Sequence, residues 1–153
     1  MNPDAPKILA IDPGRTCGWA HSDGMSGTWD LRRRRDESSG MALVRLTAKL
    51  CELHKALGVD IVVFEAARAA RNFTGLVSVA EIQGAIKLWC EHRAIPYKGY
   101  SPSEVKRMAT GKGNAKKDEV FDAARREWPE INIVDHNHAD ALWLLQLAKN
   151  EIG

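Results

Sequence analysis

The sequence predicts a single α/β domain in which a five-stranded mixed sheet lies between helices. Three observations predict it. Three short apolar runs joined by tight turns open the chain, helical periodicity then alternates with two further apolar runs, and apolar-striped helices close it. The 153 residues suit one domain, 1–153, and a hydrophobic content of 44% supplies a core at that length.

The first run, Lys7 to Asp12 (KILAID), is closed by Pro13-Gly14 and reads as a buried strand ending in a turn. Cys17 to His21 and Met25 to Leu31 read as two more strands, with Ser22-Asp23-Gly24 as the hairpin turn between them. Ser38 or Ser39 is placed to cap a helix running to about Leu57, where Leu43, Leu46, Leu50, Leu53 and Leu57 repeat at three- and four-residue steps and Gly58 stops it. Asp60 to Glu65 (DIVVFE) is a fourth strand, and its β-branched run suggests burial on both faces, as in a parallel or mixed sheet. Thr74 to His92 reads as a helix with Leu76, Val79, Ile82, Ile86 and Trp89 on one stripe. Ile95 to Tyr100 is the fifth strand, its Pro96 suiting an edge. Ser101, Pro102 and Glu104 form a capping-box signature for a short helix broken at Gly111-Lys112-Gly113. A helix from about Ala115 to Trp128 ends at Pro129, and a last one starts near Asp135 or Asn137 and runs through Ala148.

Charge and cysteine content narrow the class. A net charge of +2 does not announce a polyanion binder, but basic residues gather at Arg32–Arg35, at Arg68 and Arg71, and from Lys106 through Lys112 and Lys116 to Lys117. Such clusters fit local phosphate contacts as well as an ordinary solvated surface. Cys17, Cys51 and Cys90 show no metal-binding or pairing pattern and read as reduced thiols. The first residues lack a secretion-signal layout and no apolar run is long enough for a membrane span, so a soluble cytoplasmic protein is expected.

Three acids sit where acids are costly. Asp12 and Glu65 each end an apolar strand, and Asp140 lies among Ala139, Ala141 and Leu142 in the first turns of an apolar helix. One such residue is usually a cap or a turn. Three of them at element ends suggest a shared cleft, because sites in α/β sheets open at the carboxyl ends of strands. Clustered carboxylates raise one another's pKa unless a cation lies between them, and hard oxygen donors select Mg²⁺ or Mn²⁺. Two such ions serve phosphodiester hydrolysis.

Four motifs resemble one family. Ile11-Asp12-Pro13-Gly14 with Thr16-x-Gly18-Trp19-Ala20, Val62-Val63-Phe64-Glu65, Ser101 to Lys106 followed by Gly111 to Lys117, and Ala139-Asp140-Ala141-Leu142 are similar, in order and spacing, to those of RuvC-type Holliday junction resolvases. The resemblance implies an RNase H-like fold, a homodimer, two Mg²⁺ or Mn²⁺ ions and paired nicks in four-way DNA junctions. By position it makes Asp12, Glu65 and Asp140 metal ligands and catalytic residues, and sets Lys106 and Lys117 beside the substrate phosphates. The family usually has an acid or His three residues before the last Asp, where this chain has Asn137 flanked by Asp135, His136 and His138. Asn137 is expected to be the fourth ligand, with Asp135 as helix cap and His136 as a second candidate. No wedge aromatic stands shortly after Glu65, where Arg68 and Phe73 are nearby.

An actin-like ATPase would share the opening turn but needs a second lobe. A branched-DNA nuclease acting on flaps or forks, and a catalytically weakened DNA-binding relative, are the alternatives to strict junction resolution. The Thr74–His92 helix, with Gly84 permitting close approach, is the candidate dimer interface. His21, His54 and His92 are expected at the surface or half-buried. Of the five tryptophans, Trp29 is the one expected to reach solvent.

Overall fold

The structure is a computed structural model and describes residues 3–66 and 73–153. Arg68 and Arg71 lie outside the described residues. The strands are Ile8–Asp12 (β1), Thr16–His21 (β2), Ser26–Asp30 (β3), Ile61–Glu65 (β4) and Tyr97–Tyr100 (β5). The helices are Met41–Leu57 (α1), Phe73–His92 (α2), Pro102–Thr110 (α3), Lys117–Glu127 (α4) and His136–Ile152 (α5). The sheet runs β3-β2-β1-β4-β5, with β1–β2 and β2–β3 antiparallel and β1–β4 and β4–β5 parallel. This is the predicted five-stranded mixed sheet flanked by helices.

Alternation along β1 divides the core in two. Ile8 and Ala10 join Val63 and the apolar sides of α3, α4 and α5 on one face. Leu9 and Ile11 join Val62, Phe64, α1 and α2 on the other. Asp12 keeps the parity of Ile8 and Ala10, and Glu65 that of Ile61 and Val63, so both carboxylates emerge on the α5 face.

Three local expectations are corrected. Trp29 is buried, at 7% exposure, and stacks on Trp19 with ring centroids 5.4 Å apart. Cys17 pairs with Trp29 in the hairpin register, so Trp29 shares the side of Trp19 that α1 covers. His21 is likewise buried: its Nε2 donates to the Gly58 carbonyl (2.8 Å) and its Nδ1 accepts from the Asp23 amide (3.0 Å), tying the hairpin turn to the end of α1. Neither Ser38 nor Ser39 caps α1. Gly40 takes that position without a side-chain bond.

The remaining punctuation is as read. Gly58 and Gly111 end α1 and α3 with positive φ (79° and 83°), which glycine adopts without strain. The Ser101–Glu104 capping box is complete, with Ser101 Oγ accepting from the Glu104 amide (3.2 Å) and Glu104 accepting from the Ser101 amide (2.7 Å). On α2, Ile82, Ile86 and Trp89 turn into the core, so that stripe belongs to the sheet. A second apolar line, Phe73, Val77 and Leu88, faces solvent, and a side chain added at the exposed Gly84 would meet nothing within 4 Å.

Candidate active site

Parallel pairing of β1 with β4, Ile11 beside Phe64, carries Asp12 and Glu65 out at the same end of the sheet. Helix α5 crosses this face and brings Asp140 down from its second turn. One oxygen from each of Asp12, Glu65 and Asp140 lies within 4.8 Å of the others. No other such trio of His, Cys, Asp and Glu occurs among the described residues.

Desolvation dominates the electrostatics. Burial, then the charges of Asp140 and Glu65, hold Asp12 well above its ordinary value, with Lys117 opposing. Burial, then Glu65, lift Asp140 from 3.8 to about 7, against the pull of Lys117 and Lys106. Burial also raises Glu65, while a hydrogen bond from Asp12 and the charges of Lys106 and Lys117 lower it. The hydrogen bond between them raises Asp12 and lowers Glu65, so without a cation Asp12 holds its proton more firmly than Glu65 does. Lys106 in α3 and Lys117 at the first position of α4 are the lysines whose charge reaches the cluster. Lys112 instead pairs with Glu119 at 3.4 Å, and Lys116 is the exposed N-cap residue of α4.

Support behind these groups comes from Gln83, which the sequence did not single out, and from residues that flank Asn137. Gln83 of α2 donates to the Glu65 carbonyl at 3.0 Å, fixing the end of β4 from the opposite face. His138 is buried; its Nδ1 accepts from the Val134 amide (3.1 Å), so its Nε2–H donates to Ser26 Oγ (2.8 Å), fastening the start of α5 to β3. Burial lowers the His138 pKa, which keeps that neutral form. Asp135 caps α5 as expected, accepting from the His138 amide at 2.8 Å. His136 turns to α4 instead, with Nε2 3.0 Å from an Asp118 carboxylate oxygen and its ring 5.1 Å from that of Phe121. That leaves Asn137 one turn before Asp140, on the same helix face.

Gly18 sets how closely α5 approaches. A Cβ there would stand 1.9 Å from the Asn137 carbonyl oxygen and 2.9 Å from the His138 nitrogen, both backbone atoms. A side chain at Gly18 must push the first turn of α5, and Asp140 with it, away from Asp12. Gly18→Ala is expected to cost roughly 1–3 kcal/mol of stability, as overpacking does. It is also expected to weaken divalent-metal binding at least about tenfold, since the ligands separate. Metal titration followed by thermal melting checks this, and an unchanged metal affinity would show that α5 absorbs the methyl without moving Asp140.

Comparison with known proteins follows the same outline. The family model for crossover junction endodeoxyribonuclease RuvC matches residues 8–144. A RuvC from Oleidesulfovibrio alaskensis is 32% identical over 123 residues, spanning 74% of this chain and 72% of that protein. One from Thermomicrobium roseum is 35% identical over 83 residues, spanning 54% of this chain and 51% of that protein, so the chain spans about half the length of that relative. The solved structure of Thermus thermophilus RuvC superposes with a TM-score of 0.75 at 21% identity, over 95% of this chain and 96% of that one. The same enzyme in complex with a Holliday junction substrate gives 0.73 over 93% and 92%. At that identity the structural likeness speaks for the fold, the RNase H-like arrangement that the motifs implied.

Proposed function

The chain belongs to the crossover junction endodeoxyribonuclease RuvC family, and from that premise we propose that it resolves four-way DNA junctions by paired phosphodiester hydrolysis at Asp12, Glu65 and Asp140. The observation that carries this is the convergence of three partly buried carboxylates at the carboxyl end of β1 and β4. Three converging, partly buried carboxylates with raised pKa values are a poor structural element alone and a good all-oxygen donor set for Mg²⁺ or Mn²⁺. Asp12, Glu65 and Asp140 would hold the ions, two per site, with Asn137 contributing a neutral carbonyl oxygen. When bound, such ions supply Lewis-acid charge for activating water and stabilising the leaving oxygen.

The chain's own residues do the rest. Lys106 and Lys117 offset the carboxylate charge that would repel a phosphodiester, and stay positioned for the charge that builds on the phosphate during attack. Alanine at either position is expected to slow single-turnover cleavage by roughly ten- to a thousandfold. Lys112→Ala, removing a charge already paired with Glu119, should act mainly on salt-dependent affinity. Rates at saturating protein separate the two: a larger rate loss in Lys112→Ala than in Lys117→Ala would reverse the assignment.

Paired nicks need two sites related by a twofold axis. A homodimer supplies them, and the outward Leu88 with the open Gly84 one turn before it, on the part of α2 away from its start, supports an interface there. No helix among the described residues is long and apolar enough to cross a membrane. A junction-cleaving role would place the protein with its DNA, in the cytoplasm of a bacterial or phage-infected cell. The deciding experiment compares matched four-way, three-way and flap substrates with Mg²⁺, with Mn²⁺ and with EDTA. Symmetric paired nicks confined to the four-way substrate and absent in EDTA are expected. Equal cutting of flaps would make the protein a general branched-DNA nuclease, and cutting in EDTA would remove the metal mechanism.

A further inference from the structure

The lysines near the carboxylates all stand on the α3–α4 face, yet DNA crossing the site must also leave on the other. On that face a cavity of about 620 Å³ lies between the start of α1, the end of β3 and the start of α2. Arg15, Arg32 and Arg33 line it, with the hydroxyls of Thr74 and Ser78, over apolar walls that include Leu43, Phe73 and Val77. Towards the carboxylates it runs into a second hollow that shares Arg15, Thr74 and Ser78 and reaches Gly14, two residues past Asp12. Away from them it runs into a third that shares Arg32 and Arg33 and adds Arg34. Through these shared residues the three hollows succeed one another from Gly14, beside the end of β1, out to Arg34, and are together termed a trench.

The trench is built. The Leu31 amide donates to the Arg15 carbonyl at 2.7 Å, which sets the β1–β2 turn beside the arginine run, and the Arg15 guanidinium reaches Ser78 Oγ at 3.5 Å. Its acids are few. Asp30 is held by Arg32 through two bonds of 2.8 Å, Glu37 pairs with Arg45, and Glu81 lines the cavity wall. Among the described residues no salt bridge engages the side chains of Arg33 and Arg34, which are exposed, although the charge and the amide of Arg34 both reach Glu37. A row of guanidinium groups and hydroxyls that begins two residues past Asp12 complements a run of phosphates.

We propose that this trench carries the DNA backbone on the α1–α2 side of the cut, with Arg15, Arg32, Arg33 and Arg34 contacting phosphates progressively farther from the scissile one. The inference rests on the proposed junction-cleaving function and adds a second contact surface to it. Lysines and arginines would then grip the substrate from opposite faces of the sheet, holding the scissile phosphate over Asp12.

The test measures binding of a four-way junction across a salt series, using the full chain in EDTA, with long arms and with arms cut to a few base pairs. In Arg33→Ala/Arg34→Ala, the slope of log affinity against log salt should fall by about 1.8 per protomer engaged, at 0.9 per lost phosphate contact. Affinity for the long-arm junction should weaken by roughly tenfold at 0.15 M salt, with much less effect on short arms that never reach Arg34. Arg33→Lys/Arg34→Lys should restore the slope, which a merely folding-related defect would not. An unchanged slope in a variant whose melting temperature matches the parent overturns the trench while leaving the junction reading intact. Equal losses on long and short arms overturn it too. If the parent neither binds nor cuts junctions, both readings fall together.

Discussion

Asp12→Asn, Glu65→Gln and Asp140→Asn are each expected to abolish junction cleavage while leaving junction binding in place. Each change keeps the side chain's size and removes one negative oxygen donor from a trio whose atoms converge within 4.8 Å. Loss of a metal's contribution to phosphodiester hydrolysis is worth several kcal/mol, which is a rate loss of at least about a thousandfold. Binding should hold, because no substitution touches Lys106 or Lys117 or the exposed basic residues that meet the phosphates. Single-turnover cleavage in Mg²⁺ or Mn²⁺, with binding measured in parallel, checks both halves. A variant that cuts within tenfold of the parent would exclude its residue from the metal set. One that loses cleavage and binding together would point to disrupted folding.

These carboxylates were legible in the sequence because a charge closing a run such as KILAID or DIVVFE contradicts its own neighbourhood. Strand and helix limits were legible for a related reason: apolar periodicity and glycine punctuation act locally, and Gly58 and Gly111 do adopt the positive φ that ends a helix. What escaped depends on contacts between distant segments. Ser26 meets His138 across 112 positions, and nothing near either residue announces the bond. Gly18 looked like part of a strand motif, and only the approach of α5 shows why a Cβ is excluded there. His136 and Asn137 both share a helix face with Asp140 by spacing, and the contact of His136 with Asp118 on a different helix is not visible in that spacing. Trp29 was misjudged for the same reason, since strand alternation assigns a side but not the helix that covers it.

Metal-free protein is expected to lose stability as pH rises from the acidic range to above neutrality, opposite to the usual behaviour of a protein rich in ion-paired carboxylates. Asp12, Glu65 and Asp140 all titrate higher in the folded chain than an ordinary carboxyl group, so the folded state binds more protons than the unfolded one. Their contribution is fully present below the unfolded value, 3.8 for Asp140, and is lost as pH climbs through its folded value of about 7. A rise of that size corresponds to roughly 4 kcal/mol for an isolated group, moderated here by Lys117 and Lys106. His138, whose pKa burial lowers, acts in the opposite sense and destabilises the fold only below about 6.5, its ordinary value. The carboxylate effect is therefore cleanest from there to about pH 8. Thermal melts in EDTA should show a falling midpoint over that window, and Asp140→Asn should flatten it and raise the midpoint at the alkaline end by roughly 5–10 °C. Saturating Mn²⁺ should restore the parent at the same pH by binding only the folded state, and should do little for Asp140→Asn. A parent that melts at one temperature across the window, with and without Mn²⁺, would mean that water already relieves these carboxylates and that burial does not prepare the site for a cation.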